Sequence, residues 1–170
     1  TVEGTTKGCT SYETFKITVL NLPNVKINDG KDTAICEGES IVLRATGAKS
    51  FEWLDMYNET DSEITKEPRE TTIYAVEGTD DNNCVNRDTI IVTVNKLPEI
   101  ELEYTNSVCD GSNVVITAVN NDIKYQWTAQ SDYEVNSSYT IENITSDIAG
   151  EVFGMDKNNC VNKAPYEIKR

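Results

Sequence analysis

The sequence predicts an all-β chain of tandem β-sandwich modules, each about 75 residues long. The first observation is a repeat. Val76–Val94, reading VEGTDDNNCVNRDTIIVTV, is echoed by VEGTTKGCTSYETFKITV over Val2–Val19 and by VFGMDKNNCVNKAPYEI over Val152–Ile168. Their central cysteines, Cys9, Cys84 and Cys160, lie 75 and 76 residues apart, and a fixed period of that size marks an array of small domains. Two further markers keep the same beat: Asn21-Leu22-Pro23 answers Lys96-Leu97-Pro98, and Trp53 answers Trp127. The last observation is short-period alternation between turn clusters, with no competing helical period. The expected layout is residues 1–23 as the closing hairpin of one repeat, 24–98 as a complete repeat, and 99–170 as a second repeat truncated in its last strand.

Residues 1–20 read as two strands around a turn. In the second of them Phe15, Ile17 and Val19 alternate with Thr14, Lys16 and Thr18. The proline-containing join at Asn21-Leu22-Pro23 is too short and stiff for a flexible linker, so successive modules are expected to touch. In the complete repeat a turn cluster at Asn28–Asp32 precedes Cys36-Glu37-Gly38-Glu39-Ser40, and Ile41, Leu43 and Ala45 share one strand face. Thr46-Gly47-Ala48 turns the chain into Phe51-Glu52-Trp53. Asp55 to Pro68 is polar and weakly patterned, as short edge strands are. Thr72–Thr79 and Asp88–Val94 form the closing hairpin around Asp81-Asn82-Asn83. The last repeat follows the same plan through Ile100/Leu102/Tyr104, Cys109-Asp110-Gly111-Ser112, Val114/Ile116/Ala118, Tyr125-Gln126-Trp127 and Tyr139/Ile141.

Composition narrows the functional classes. A net charge of −14 argues against nucleic acid and against insertion into or binding of anionic membranes, because both call for basic or long apolar surface. Five cysteines among modules this small point to an oxidising compartment. There is no histidine, so the commonest general base and metal ligand is missing, and no phosphate-binding glycine loop replaces it. The expectation is a chain that is not an enzyme and has no resident cofactor. Calcium is the one metal to consider, with Asp80, Asp81 and Asp156 as oxygen ligands, joined by Asn82, Asn83, Asn158 and Asn159 and by Glu37, Glu39 and Asp110 nearby. The same Asp and Asn residues are also what tight hairpins prefer. Tyr57, Tyr133 and Tyr139 fall in the variable middles of the repeats, where they either half-pack on a sheet or form a contact surface. Asn58, Asn136 and Asn143 begin N-glycosylation sequons.

The opening Ile35-Cys36-Glu37-Gly38-Glu39-Ser40, the aromatic Phe51-Glu52-Trp53, the strand Thr72–Val76 and the hairpin Asp81-Asn82-Asn83-Cys84 with Thr89–Val94 resemble the immunoglobulin-like and PKD-like repeats of large Bacteroidetes cell-surface proteins. The resemblance covers the whole chain. It implies tandem immunoglobulin-like sandwiches in a long exported protein, often type IX secreted, including adhesins associated with gliding. The implied place is extracellular, on the cell surface, exported across the outer membrane. The implied role is a stalk or filament segment that spaces a distal functional region from the cell. The rivals are a module that binds glycan or protein directly and an accessory spacer of a secreted enzyme. Asp32-Thr33-Ala34 and Asp88-Thr89-Ile90 resemble the O-glycosylation pattern of that phylum, which makes Thr33 and Thr89 candidates. Asp147–Val152 resembles the immunoglobulin corner, with valine where its tyrosine is expected.

Laid on the immunoglobulin pattern, Ala45 and Val76 occupy the positions of the usual intersheet cysteines. Trp53 and Trp127 are then expected in the core, against Ala45, Val76 and Ala118. The actual cysteines pair in one of two ways. Within repeats, Cys36 joins Cys84 and Cys109 joins Cys160. Between repeats, the opening of one sandwich faces the closing turn of the next, and Cys36 joins Cys160. In either scheme Cys9 has its partner outside these residues, and in the second Cys84 and Cys109 do as well. The partners expected of the chain are thus neighbouring repeats, with surface glycan or protein as the alternative.

Overall fold

Side chains that alternate along an extended backbone point to opposite faces, so each strand offers one face for burial and one for water. The computed structural model describes residues 1–54, 59–127 and 132–170. Among them the chain runs through β1 (Val2–Thr6), β2 (Cys9–Glu13), β3 (Lys26–Ile27), a 3-10 turn at Asn28–Gly30, β4 (Thr33–Cys36), β5 (Ile41–Thr46), β6 (Ser50–Leu54) and β7 (Glu63–Lys66). It continues through β8 (Thr72–Thr79), β9 (Val85–Asn95), β10 (Leu102–Glu103), β11 (Ser112–Ala118), β12 (Lys124–Gln126), β13 (Ser138–Ile144), β14 (Ile148–Met155) and β15 (Val161–Ile168). The sheets are ordered β1-β2, β3-β5-β7, β4-β9-β8-β6, β10-β11-β13 and β12-β14-β15. These form two compact units, one of residues 1–31, 43–64 and 74–89, the other of residues 32–42, 65–73 and 90–170. The class is all-β, built of immunoglobulin-like sandwiches.

In the first unit β3 pairs antiparallel with β5, Ile27 opposite Ala45, and β6 pairs antiparallel with β8, Trp53 opposite Val76. Alternation along β5 buries Leu43 and Ala45, while β3 and β7 bury Ile27 and Ile64. Strands β6 and β8 bury Trp53, Tyr74 and Val76. A fully buried side chain of this kind contributes roughly 1.5–3 kcal/mol relative to exposure, so the apolar face holds the sheets together. Gly47, at φ +88°, is required: a Cβ there would lie 1.8 Å from the Asn24 carbonyl oxygen.

The expected strand over Thr14–Val19 is not formed. β2 ends at Glu13, and Phe15, Ile17 and Val19 are 59%, 75% and 89% exposed. An alternating segment becomes a strand only when a neighbour takes up its N–H and C=O groups, and none among the described residues does so here. The β1–β2 turn also departs from its copies. Thr5-Thr6-Lys7-Gly8-Cys9 is one residue shorter than Thr79–Cys84, so Lys7 (φ 50°) and Gly8 (φ 81°) make a two-residue hairpin loop with both residues left-handed.

In the second unit β4 runs parallel to the end of β9, Cys36 opposite Asn95. The β10-β11-β13 sheet supplies Val114, Ile116, Ala118 and Ile144 to a core that it shares with Tyr125, Trp127, Val152 and Ile168. Two sheets burying one face each in a common cluster is the sandwich arrangement. β14 and β15 pair along their full length from Ile148↔Ile168 to Met155↔Val161, and Pro165 is tolerated because β15 is an edge strand.

Candidate functional site: the cysteine turns

The β14–β15 connection is held by one carboxylate. Asp156 Oδ1 accepts the backbone N–H groups of Asn158 and Cys160, both at 2.8 Å, and the Asp156 N–H reaches the Cys160 carbonyl at 3.0 Å. Asn159 takes the left-handed position at φ 64°, where asparagine costs little. This geometry presents Cys160, fully buried, to Cys36. The two are bonded, with S–S 2.00 Å and Cα–Cα 5.5 Å, across 124 residues of sequence. On the other side of the bond the chain turns at once: Glu39 N–H donates to the Cys36 carbonyl at 3.0 Å, and Gly38 sits at φ +84°. The Cys36 N–H in turn donates to the Glu39 carboxylate at 2.8 Å. Glu37 N–H donates to the Asn95 carbonyl at 2.8 Å and ties the loop to the end of β9.

Of the two pairings compatible with the sequence, the structure holds Cys36–Cys160. The within-repeat bonds Cys36–Cys84 and Cys109–Cys160 are not formed, since the Cys160 turn brings its sulfur to Cys36. Cys84 is free and half-buried; Cys9 and Cys109 are free and exposed. The Cys84 turn repeats the Cys160 turn. Asp80 Oδ1 accepts from Asn82 and Cys84 N–H at 2.8 Å each, the Asp80 N–H reaches the Cys84 carbonyl at 3.0 Å, and Asn83 is left-handed at φ 59°. The Cys109 loop likewise repeats the Cys36 loop, with Ser112 N–H to Cys109 carbonyl at 3.1 Å and Gly111 at φ +77°.

A second device is also duplicated. Asn86 Nδ2 donates to the Pro23 carbonyl at 2.8 Å, and Asn162 Nδ2 to the Pro98 carbonyl at 2.9 Å. Each Leu-Pro join is therefore clamped by an asparagine two residues beyond a turn cysteine. Sequence reasoning missed these asparagines, although the Cys-Val-Asn triplet shared by residues 84–86 and 160–162 was the available signal.

The remaining sequence candidates are placed as follows. Trp53 is 1% exposed and donates Nε1–H to the Asp61 carbonyl at 2.9 Å; Trp127 does the same to Asn136 at 2.9 Å and stacks on Tyr139 at 5.9 Å. Each indole thus satisfies its single donor while burying its rings. Tyr133 is half-buried, and Tyr57 and Asn58 lie outside the described residues. Thr33 is half-buried in β4 and Thr89 exposed in β9. The aspartates preceding them have structural partners. Asp32 Oδ1 accepts Ile91 N–H at 2.8 Å, and Asp88 Oδ2 accepts Ile27 N–H at 2.9 Å. Asp81 pairs with Lys49 at 2.6 Å. Among the described residues no group of three or more His, Cys, Asp or Glu is placed to hold a metal ion.

Beyond β15 the chain is tied down by another carboxylate. The Arg170 N–H donates to Asp147 Oδ1 at 2.9 Å, and this hydrogen bond, aided by the Lys169 ammonium at 3.5 Å from Oδ2, holds the exposed Asp147 carboxyl below its ordinary range. Lys169 is shifted up, first by its hydrogen bond to Glu167 and then by Asp147.

No protein-family model matches the chain, and no curated protein does. Among solved structures it is similar to the fibronectin(III)-like modules of Clostridium thermocellum CbhA, at 14% identity over 85% of this chain and 93% of that one, TM-score 0.41. It is similar to a multi-domain titin segment at 13% identity over 98% and 72%, TM-score 0.41, and to murine CEACAM1b at 17% identity over 86% and 99%, TM-score 0.37. At such values the fold assignment rests on the strand order and burial described above. The disulfide fits an oxidising, extracellular-type setting. Among the described residues no helix is long and apolar enough to cross a membrane.

Proposed function

We propose that the chain is a stalk segment of a long repetitive cell-surface adhesin, exported and extracellular, whose work is to hold a distal functional region away from the cell. The observation that carries this reading is the Cys36–Cys160 bond. Both cysteines lie in the second compact unit, and on the sequence's own period the bond links the opening loop of the 24–98 repeat to the closing turn of the 99–170 repeat, which supports reading it as a covalent staple between repeats. The clamp of Asn162 on Pro98 at 2.9 Å removes freedom from the same join. Stiffness is what a spacer needs, since a flexible string of modules reaches only as the square root of its length. The 11-residue β9 spans about 36 Å, so each repeat adds a length of that order. The acidic, histidine-free composition suits a soluble, non-catalytic surface. The resemblance to Bacteroidetes surface repeats points to type IX export and to O-linked sugar at Thr33 and Thr89, which intact mass would register.

The rival reading, a module that binds glycan or protein itself, has one observation in its favour: a recess of about 150 Å³ lined by Tyr125, Trp127 and Tyr139 with Asp132 and Glu134. Tyr139 already spends a ring face on Trp127, which favours packing over recognition. The test is adhesion by cells whose surface protein lacks these repeats or carries unrelated sandwiches of equal length in their place. A spacer predicts loss on deletion and recovery on replacement. Failure of the replacement to restore adhesion would assign the contact to these repeats.

A further inference from the structure

The turn ending in Cys84 shares the backbone hydrogen bonds of the turn ending in Cys160, and each is followed by an asparagine clamped to a Leu-Pro segment. Their surroundings differ in one respect. Cys160 is bonded and 0% exposed, and the half-buried Leu97 lines one recess together with Cys36, Glu37, Gly38 and Glu39. Cys84 is unbonded and only half-buried, and Leu22, the counterpart of Leu97, is 62% exposed. The conformation that receives a cysteine loop at Cys160 therefore exists at Cys84 without the loop. A turn built around one carboxylate, with two backbone N–H groups already satisfied, is preformed and does not wait for the bond to fold it.

We propose that Cys84 is a docking cysteine for a further repeat of this design: it takes the Cys-x-Gly turn of a repeat before it, as Cys160 takes the turn at Cys36. Cys109, exposed at the head of an equivalent turn with Gly111 at φ +77°, is the matching group offered to the closing turn of a repeat after it. The disulfides then form a ladder with one rung at each join, and Leu22 is covered as Leu97 is. The step is an oxidation by thiol–disulfide exchange. A disulfide oxidant such as oxidised glutathione accepts two electrons and is released as two thiols, while the Cys84 and partner thiols give up their protons and join their sulfurs. The inference rests on the stalk reading and goes beyond it in naming the partner group.

The experiment lengthens the full chain by duplicating residues 24–98 in frame, with Cys84→Ser in the first copy and Cys36→Ser in the second. After oxidation in a glutathione buffer, peptide mapping without reduction should find Cys36 of the first copy joined to Cys84 of the second. Cys84 should also lose the alkylation that it shows in the unlengthened chain. Cys84 still open to alkylation, or Cys36 joined elsewhere, overturns the proposal. Small-angle scattering on the same sample separates the two ideas. A maximum dimension that grows by one repeat without the bond leaves the stalk standing and removes the rung, whereas no growth removes the stalk. If the duplicated repeat does not fold, the unlengthened chain is oxidised at high concentration. There, links between copies should run from Cys109 to Cys84, and a random mixture that includes Cys9 and Cys84–Cys84 pairs overturns the proposal.

Discussion

The turns at Cys84 and Cys160 share a sequence, a carboxylate anchor and a clamp, and they differ in whether a second cysteine has arrived. Their hydrogen bonds agree to within 0.1 Å, from Asp80 or Asp156 Oδ1 to the cysteine N–H at 2.8 Å and from the asparagine clamp to the proline carbonyl at 2.8 and 2.9 Å. The disulfide is therefore not what shapes the turn. Local chemistry shapes it, and the bond adds the long-range connection.

The largest effect expected from this comparison is at the bonded turn. Cys36→Ser or Cys160→Ser removes a link across 124 residues, which on the chain-entropy account costs about 5 kcal/mol in denaturant unfolding. Cys84→Ser in the same chain should shift the midpoint hardly at all. A large loss from Cys84→Ser would mean that the open turn already has a bonded partner. Smaller effects are expected from the carboxylates. Asp80→Ala and Asp156→Ala each strand two N–H groups of a turn, a cost of roughly 1–3 kcal/mol, and the two values should be close because the turns are alike. If only Asp156→Ala destabilises, the Cys84 turn is less well formed than its hydrogen bonds indicate.

The smallest effect is local and depends on pH. Asp147 titrates below its ordinary range in the folded chain because the Arg170 N–H and Lys169 favour its charged form. Its contribution is therefore present above the unfolded carboxylate pKa of about 3.9 and is lost as pH falls through the lower folded value. Lys169, raised by Glu167 and Asp147, has the opposite sign: its contribution is complete below the unfolded lysine pKa of about 10.4 and disappears as pH rises through the higher folded value. Hydrogen exchange at the Arg170 amide should accelerate, relative to other exposed amides, on acidification below pH ~4.

Much of the fold is legible in the sequence because it is written in short-range pattern. Leu43 and Ala45 alternate with exposed residues in β5, Asp81-Asn82-Asn83 marks a turn, and the spacing of Cys9, Cys84 and Cys160 gives the period. What escapes is held by contacts distant in sequence. Asp32 to Ile91, Asp88 to Ile27 and Asn86 to Pro23 join residues 59, 61 and 63 apart, and no local periodicity announces them. The aspartates of Asp32-Thr33 and Asp88-Thr89 belong to a modification pattern in the sequence, while their carboxylates receive backbone N–H groups. The parallel pairing of β4 with β9 is hidden for another reason: a four-residue strand carries too little pattern to declare a partner. The segment Thr14–Val19 is the converse case, a clear alternation with no neighbouring strand among the described residues to complete it. For the site, both pairings of the cysteines were compatible with the spacing, and only the three-dimensional approach of two loops distinguishes them.

The central claim is that Cys36 is bonded to Cys160 and that Cys84 is left open. Proteolysis of the unreduced full chain, with free thiols alkylated first, tests it directly. The account predicts a linked peptide pair containing Cys36 and Cys160 and an alkylated Cys84; a pair containing Cys36 and Cys84 would contradict it.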